Sequence, residues 1–143
     1  MSDNSDDLIR RVLTQCETVV IVGASMNPAR PSHYVGQYLA KLGKRVIGVN
    51  PGIAGQQLYG ETVFGSLSDI PKEIQIDMVD IFRRTEQVPA IVDQALEALP
   101  GLKAIWMQLG ISHAEAAAQA QARGVDVIQN RCPMIEYPRL VGV

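Results

Sequence analysis

The chain has 143 residues, of which 47% are apolar and 20% are charged, and this length and composition predict one domain, residues 1–143, with a substantial core. Its net charge of −2 argues against nucleic acid or a membrane surface as the partner, because both select basic proteins. The N-terminus is acidic and no apolar run approaches a membrane span, so we expect a cytoplasmic protein.

Short β-branched segments alternate with helical patterns along the chain, which is typical of βαβ units around a buried parallel sheet. In chain order, the patterns predict helices at 6–15, 32–42, 85–99 and 112–123, and strands at 18–22, 45–49, 62–64, 77–81, 104–107 and 125–129. The third helix is compatible with Pro89 only if this residue lies in the first turn. Ser112 and Glu115 have the spacing of a capping box at the start of the last helix.

These elements predict an α/β fold of the Rossmann-like, doubly wound type, which is a three-layer sandwich with a mainly parallel sheet. Right-handed crossovers give the strand order 3-2-1-4-5-6, with the short third strand at the edge. In such a sheet, ligands bind beyond the carboxyl ends of the strands, where the order reverses between the first and fourth strands. The loops that follow the strands are therefore the places where we expect a binding site.

The loop after the first strand has the sequence V-G-A-S-M-N-P-A-R-P-S. The small residues Gly23, Ala24 and Ser25 allow backbone amides to approach a phosphate held at a helix N-terminus. Arg30 supplies a positive charge, and Ser32 either caps the helix or donates a hydrogen bond to an anion. We predict a ligand-binding loop, and a plain connecting loop is the alternative.

The charges near this loop disfavour a site for NAD. Such a site places Asp or Glu about 20 residues beyond the glycines, to bind the ribose hydroxyls. Residues 24–60 contain no Asp or Glu, whereas Arg30, Lys41, Lys44 and Arg45 give this stretch a formal charge of +4. That excess suits a ligand with several phosphates. Because the last three can equally be solvated residues of a helix end and a strand start, only Arg30 is predicted to contact the ligand.

Two further strand ends carry side chains that suit a ligand. Phe82 follows the fourth strand, where an aromatic ring can flank an adenine or an extended arm, and Arg83 or Arg84 can then reach a phosphate. The alternative places Phe82 in the core and both arginines in solvent. Gln108 follows the fifth strand, and its side chain both donates and accepts hydrogen bonds, which suits amide groups of a ligand.

The segment 130–134 after the sixth strand is predicted to be a loop at the edge of the cleft, with Asn130 and Arg131 in it. Cys132 is a candidate nucleophile, but no His/Asp partner can be assigned to it, and we favour an inert, small apolar role. His33 and His113 are expected at the surface near helix starts. Two isolated imidazoles and two cysteines provide no metal site.

Six motifs occur in order between Thr18 and Tyr137, namely V-G-A-S-x-N-P-x-R-P-S, V-N-P, S-L-x-D-I-P, V-D-x-F-R, W-M-Q-L-G-I and N-R-C-P-x-I-E. Together they resemble the stand-alone CoA-binding protein family, often called YccU-like, which is similar to the N-terminal domain of the succinyl-CoA synthetase α subunit. The resemblance implies coenzyme A as the ligand. By motif, the implied contacts are Gly23, Ser25, Arg30, Ser32, Asn50, Pro51, Phe82, Arg83, Gln108, Asn130 and Arg131.

The resemblance also implies a limit on activity. Thioester chemistry in the synthetase requires a second α-subunit domain with a phosphorylated histidine and a β subunit, and this chain has neither. We therefore expect a binding or regulatory module for CoA or an acyl-CoA with no catalysis of its own, as a monomer or weak homo-oligomer that works with an unidentified protein partner. The alternatives are an NAD(P)-binding oxidoreductase or redox sensor of Rossmann fold, and a thiol enzyme that uses Cys132.

Overall fold

In a computed structural model, which describes residues 4–142, helices surround a central sheet. The helices are α1 (Asp6–Gln15), α2 (Pro31–Lys41), α3 (Val88–Ala98), α4 (Ala114–Ala122) and α5 (Pro133–Leu140). The strands are β1 (Thr18–Val22), β2 (Arg45–Val49), β3 (Gln57–Leu58), β4 (Glu61–Thr62), β5 (Met78–Ile81), β6 (Ala104–Met107) and β7 (Asp126–Ile128). No helix in this part of the chain has the length and apolar character needed to span a membrane.

The main sheet has five strands in the order β2-β1-β5-β6-β7, and every neighbouring pair is parallel. The predicted Rossmann-like, three-layer fold is therefore confirmed. The strand order reverses between β1 and β5, so the carboxyl ends of these two strands form the expected crevice. Their runs of β-branched residues are buried on both faces, which is the usual state of a parallel sheet covered by helices.

The predicted edge strand at 62–64 is confirmed only at Phe64. Glu61 and Thr62 instead pair antiparallel with β3, and Phe64 retains only a single parallel bridge to Val49. The two-residue turn between β3 and β4 contains Tyr59 at φ 56° and Gly60 at φ 78°, the positive values that a type I′ hairpin requires. Tyr-Gly lacks the common Asn-Gly pattern of such turns, so the sequence did not indicate the hairpin.

The helices divide between the two faces of the sheet. On one face α5 packs against both α1 and α2, and on the other face α3 packs against α4. Because α2 follows β1 and α5 follows β7, both of these helices begin at the carboxyl edge of the sheet. Their N-termini therefore lie beside the crevice where the strand order reverses.

Helix α5 was not predicted, since 130–134 was interpreted as a loop and the segment 130–140 contains two prolines. Pro133 occupies the first helical turn, where a missing N–H is tolerated, and Pro138 lies inside the helix. Beyond Pro138 the helical pattern continues, with the Val141 N–H donating to the Tyr137 carbonyl at 2.8 Å. On the other hand, Pro89 lies in the first turn of α3, as its presence required.

The predicted cap at Ser112 was wrong, and of the two roles left open for Ser32 the structure excludes the cap. At α4, His113 and not Ser112 is the N-cap, and its Nδ1 accepts from the Ala116 N–H at 3.1 Å. At α2, Arg30 occupies the N-cap position without a side-chain hydrogen bond, and Ser32 already lies inside the helix. Ser32 therefore does not cap α2, and its hydroxyl is free for another role.

Candidate functional site

A pocket of about 500 Å³ opens at the carboxyl edge of the sheet, between the ends of β1, β5 and β6 and the first turns of α2 and α5. Most of the residues that the sequence singled out line it. They are Gly23, Ala24, Ser25, Arg30, Ser32, Asn50, Phe82, Arg83 and Gln108. The fold thus brings residues from four strand ends together around one cavity.

The floor of the pocket is a close contact between the loops after β1 and β5. Gly23 has φ 93°, and its N–H donates to the Val49 carbonyl at 3.0 Å. A Cβ placed on Gly23 would lie 2.9 Å from the carbonyl oxygen of Phe82. A glycine is therefore required here for two reasons, since the backbone is left-handed and its neighbour leaves no space for a side chain.

The rest of the first loop is held by its own hydrogen bonds. The Ser25 hydroxyl accepts from the Asn27 N–H at 3.0 Å, and the Asn27 side chain accepts from the Ala29 N–H at 3.0 Å. The Ser25 carbonyl lies 2.8 Å from Nδ1 of His33, so this imidazole is half-buried and bonded rather than exposed as predicted. These bonds pre-organise the loop, while the Ser25 hydroxyl proton stays available for a ligand.

The first turn of α2 presents unpaired donors to the pocket. Ser32 is only 5% exposed, and its hydroxyl makes no hydrogen bond to any residue in the described part of the chain. Its backbone N–H lies in the first turn, where no intrahelical acceptor is available. The carbonyl of Ser32, by contrast, accepts from the Tyr59 hydroxyl at 2.7 Å, which anchors this turn from outside. Free donors at a helix N-terminus favour an anionic group.

Two arginines give the pocket a positive charge. Arg30 and Arg83 both line it, and within residues 4–142 neither forms a salt bridge. No Asp or Glu is among the lining residues that the structure describes. Since opposing carboxylates are lacking, both guanidinium groups are available to bind phosphate.

The other basic residues of the stretch 24–60 have structural positions. Lys44 donates to the Leu13 and Cys16 carbonyls at 2.8 and 2.6 Å, which caps the end of α1. Arg45 pairs with Glu61 at 2.7 Å, and Lys41 lies in the last turn of α2, away from the pocket. Only Arg30 of the four reaches the pocket, as the sequence analysis expected.

Asn50 and Pro51, both implied by the resemblance, have different positions. The Asn50 amide donates to the Ala24 carbonyl at 2.8 Å and accepts from the Gly52 N–H at 2.9 Å, so it braces the first loop. Pro51 lies outside the pocket and lines a neighbouring cavity of about 530 Å³ on the α3 side. Arg83 lines both cavities.

Gln108 reaches the pocket from β6 and is only 5% exposed. Its side-chain amide lies against the carboxyl group of Asp80, a β5 residue with 0% exposure. Burial raises the pKa of Asp80 well above its ordinary value, because the carboxylate would lose its hydration there. The sequence analysis missed Asp80, although a charged residue inside the buried run M-V-D-I was a signal that could have revealed it.

Asn130 and Arg131 are not brought into the pocket. The Asn130 side chain accepts from the Gly110 N–H at 2.7 Å, and its positive φ of 57° turns the chain after β7. The Arg131 carbonyl accepts from the Trp106 indole at 2.8 Å, and its guanidinium donates to the Asn130 carbonyl at 2.9 Å. Both residues therefore connect the carboxyl end of β7 with β6 and the loop that follows it.

Several lining residues were not predicted as contacts. They are Pro31, Tyr34, Val35, Leu109, Ile111 and Cys132. The apolar members gave no distinct signal, because the same helical and strand patterns describe ordinary core positions. Cys132 is buried at the start of α5, and among the described residues no His, Cys, Asp and Glu side chains form a cluster that would hold a metal ion.

Comparison with known proteins agrees with this geometry. A family model described as a CoA binding domain matches residues 17–138. The uncharacterized protein YneT of Bacillus subtilis (strain 168) is 32% identical over 137 residues, which cover 96% of this chain and 97% of that protein. A solved structure from Thermus thermophilus is 34% identical with a TM-score of 0.87, over 95% of this chain and 98% of that one.

One domain of a larger enzyme has the same fold at lower sequence identity. A dinucleotide-forming acetyl-coenzyme A synthetase of Ca. Korarchaeum cryptofilum is 22% identical, with a TM-score of 0.65. The match covers 86% of this chain but 27% of the synthetase chain. At this identity the likeness shows a shared fold alone.

Proposed function

Because this chain belongs to the CoA binding domain family, we propose that it binds coenzyme A in the pocket at the carboxyl edge of its sheet and acts there as a binding or regulatory module. The proposal includes acyl-CoA as a ligand, since the same nucleotide portion would be recognised in both. It assigns no catalytic step to the chain itself.

The observation that carries the proposal is the concentration of unpaired positive groups in one pocket. Arg30 and Arg83 lack ion-pair partners within the described residues, and the first turns of α2 and α5 direct their positive dipole ends to the same place. Coenzyme A carries a pyrophosphate and a 3′-phosphate. Two guanidinium groups and a helix N-terminus are suited to bind those phosphates.

The shape of the site supports a long ligand. Arg83 lines both the pocket of about 500 Å³ and the cavity of about 530 Å³ that contains Pro51. Coenzyme A is an extended molecule, with an adenosine end and a pantetheine arm on either side of the pyrophosphate. A phosphate bound at Arg83 would allow each end to occupy one of the two cavities.

The absence of catalysis is proposed from the chemistry of the lining. Within the described residues around the pocket, Cys132 is the one nucleophile besides hydroxyl groups, and no imidazole or carboxylate lines the pocket beside it. Group transfer through a cysteine also needs a general acid or base that moves protons, and the lining supplies neither beside Cys132. His33, the nearest imidazole in sequence to the first loop, is bonded to the Ser25 carbonyl.

Isothermal titration calorimetry with CoA tests the proposal. We expect Arg30→Ala and Arg83→Ala each to weaken CoA binding about 10- to 100-fold, which corresponds to the loss of a charge-assisted hydrogen bond. Arg123→Ala is the matched control, because Arg123 follows the C-terminal end of α4, at the opposite edge of the sheet. This control variant is expected to bind CoA as the wild type does.

A thermal-shift comparison of ligands completes the test. A ligand that binds only the folded state raises the melting temperature by mass action. We expect a larger shift with CoA than with dephospho-CoA or NAD, because neither of those carries the 3′-phosphate. Equal shifts with NAD and CoA, or no shift with CoA, would contradict the proposal.

A further inference from the structure

Asp80 is a buried carboxyl group for which CoA binding, as proposed so far, gives no direct role. It lies in β5 opposite Ile21 of β1 and Trp106 of β6, so its side chain points to the face covered by α1, α2 and α5. It is 0% exposed, and within residues 4–142 no Lys, Arg or His forms an ion pair with it. Burial of an unpaired carboxylate costs free energy. Since no cation pairs with Asp80, the partner group that bonds to it must be neutral.

That partner is the side-chain amide of Gln108. The amide nitrogen, when it is turned toward Asp80, lies 3.1 and 3.0 Å from the two carboxyl oxygens. When the amide oxygen is turned toward Asp80, it occupies the same position, and the two groups can bond only if the carboxyl carries a proton and donates it. The two orientations differ only in the exchange of the amide nitrogen and oxygen, which occupy the same two positions. An ionised Asp80 therefore requires the amide nitrogen, whereas a neutral Asp80 can donate its proton to the amide oxygen.

Gln108 contacts Asp80 and also lines the pocket, so we assign the opposite end of its amide to the ligand. Gln108 is a lining residue, and no other residue in the described part of the chain forms a hydrogen bond with its side chain. An ionised Asp80 would accept from the amide nitrogen, and the amide oxygen would then be the acceptor that the ligand meets. A neutral Asp80 that donates to the amide oxygen leaves the two N–H donors of the amide for the ligand.

We propose that neutral Asp80 is a positioning residue that holds the Gln108 amide with its nitrogen toward the pocket, so that the site recognises a carbonyl oxygen of its ligand. This inference rests on the proposed function, and it identifies the ligand group as an amide carbonyl of the pantetheine arm. Asp80 itself touches no ligand.

The surroundings of Asp80 favour the neutral form. The titratable groups on this face are Cys16 after α1, His33 and Tyr38 of α2, Tyr59 of the β3–β4 turn, and Cys132, Glu136 and Tyr137 of α5. None of them forms an ion pair with Asp80, His33 is bonded to the Ser25 carbonyl, and Glu136 already accepts from Arg139. Burial and the charge of Asp80 both raise the pKa of Tyr59, so ionisation of either group disfavours that of the other. Burial likewise raises the pKa of Asp80, because the ionised carboxylate would lose its hydration, and this favours the neutral carboxyl.

Carbon-13 NMR of the unliganded protein tests the proton directly. The carboxyl shift of Asp80, assigned by its loss in Asp80→Asn, is expected at the protonated position at neutral pH. A shift typical of an ionised carboxylate would overturn the inference. Because this measurement needs no ligand, it decides the inference even if the wild-type protein fails to bind CoA, which would contradict the proposed function alone.

A double-mutant cycle with CoA tests the positioning role. Asp80→Leu removes the partner of Gln108 and is expected to weaken CoA binding about 5- to 10-fold, as for one neutral hydrogen bond. Asp80→Asn, whose amide can donate to the Gln108 oxygen as the neutral acid does, is expected to restore most of this loss. In a Gln108→Met background, Asp80→Leu is expected to have no further effect on the CoA affinity.

Other outcomes contradict the positioning role. Equal weakening by Asp80→Leu in both backgrounds would mean that Asp80 only shapes the pocket. A loss in Asp80→Asn as large as that in Asp80→Leu would mean that the carboxylate charge is needed. If Asp80→Leu proves unfolded in thermal melts, the affinity of Asp80→Asn and the carboxyl shift of the wild type still decide the inference.

Discussion

The two faces of the sheet differ in the chemistry that they bury. On the face covered by α3 and α4, the core consists of apolar side chains such as Val92, Leu96 and Ile105. On the face covered by α1, α2 and α5, the buried residues include Ser32, Asp80, Gln108 and Glu136. Asp77, also buried, lies at the amino edge, where it accepts from the backbone of Glu17 and Thr18.

This difference shows how one sheet separates stability from binding. A buried polar group destabilises the fold unless it has a partner, so polar residues persist where a partner or a ligand is available. Ser32 and Gln108 lie at the pocket, and Asp80 contacts Gln108. The α3–α4 face binds no ligand in this proposal, so its core needs no polar side chains and its apolar packing serves stability. The contrast leads to three experiments, each of which separates an effect on stability from an effect on CoA affinity.

The largest effect is expected at the close contact between the two strand-end loops. Gly23→Ala combines a left-handed backbone with a Cβ 2.9 Å from the Phe82 carbonyl oxygen. We expect a loss of about 3 kcal/mol in the free energy of unfolding and a loss of CoA binding, because the loop must move. Chemical denaturation and calorimetry measure the two quantities.

Gly43→Ala is the matched control for this variant. Gly43 has φ 97°, close to that of Gly23, but no atom lies within 4 Å of a Cβ placed on it. The strained backbone alone is expected to lower the free energy of unfolding by about 1 kcal/mol and to leave the CoA affinity unchanged. If both variants bind CoA equally well, the close approach to Phe82 does not shape the site.

A pair of valines tests the two faces against each other. Val35 on α2 lines the pocket and Val92 on α3 lies in the opposite core, and both are 0% exposed. Truncation of each to alanine is expected to lower the free energy of unfolding by about 2 kcal/mol, since the same two methyl groups are lost. Only Val35→Ala is expected to weaken CoA binding. A loss of affinity in Val92→Ala as well would contradict the separation of the two faces.

The smallest effect is expected at the cap of α4, on the α3–α4 face. His113→Ala removes the acceptor of the Ala116 N–H and should lower the free energy of unfolding by about 1 kcal/mol, without a change in CoA affinity. Ser112→Ala is the control, and denaturant titration of both variants is the measurement. If Ser112→Ala is the more destabilising, the hydroxyl cap expected from the sequence operates instead.

The candidate site was predictable where it depends on backbone geometry near a strand end. The strand T-V-V-I-V followed by Gly23 and a helix predicts a ligand loop, and Arg30 follows within that loop. Contacts that depend on neighbours distant in sequence were not predictable in this way. Asn130 and Arg131 follow a strand end and were therefore predicted at the cleft. In the structure they instead accept hydrogen bonds from Gly110 and Trp106, which belong to another strand and its loop.

The amino-acid sequence by itself determined the α/β class and the relative order of five of the six predicted strands, because both follow from local hydrophobic periods and the handedness of crossovers. The tertiary structure alone decided the β3–β4 hairpin, helix α5 and the pairing of Asp80 with Gln108. These features depend on which side chains meet after the sheet is assembled. Burial and hydrogen bonding between residues far apart in the chain leave no periodic pattern in its sequence.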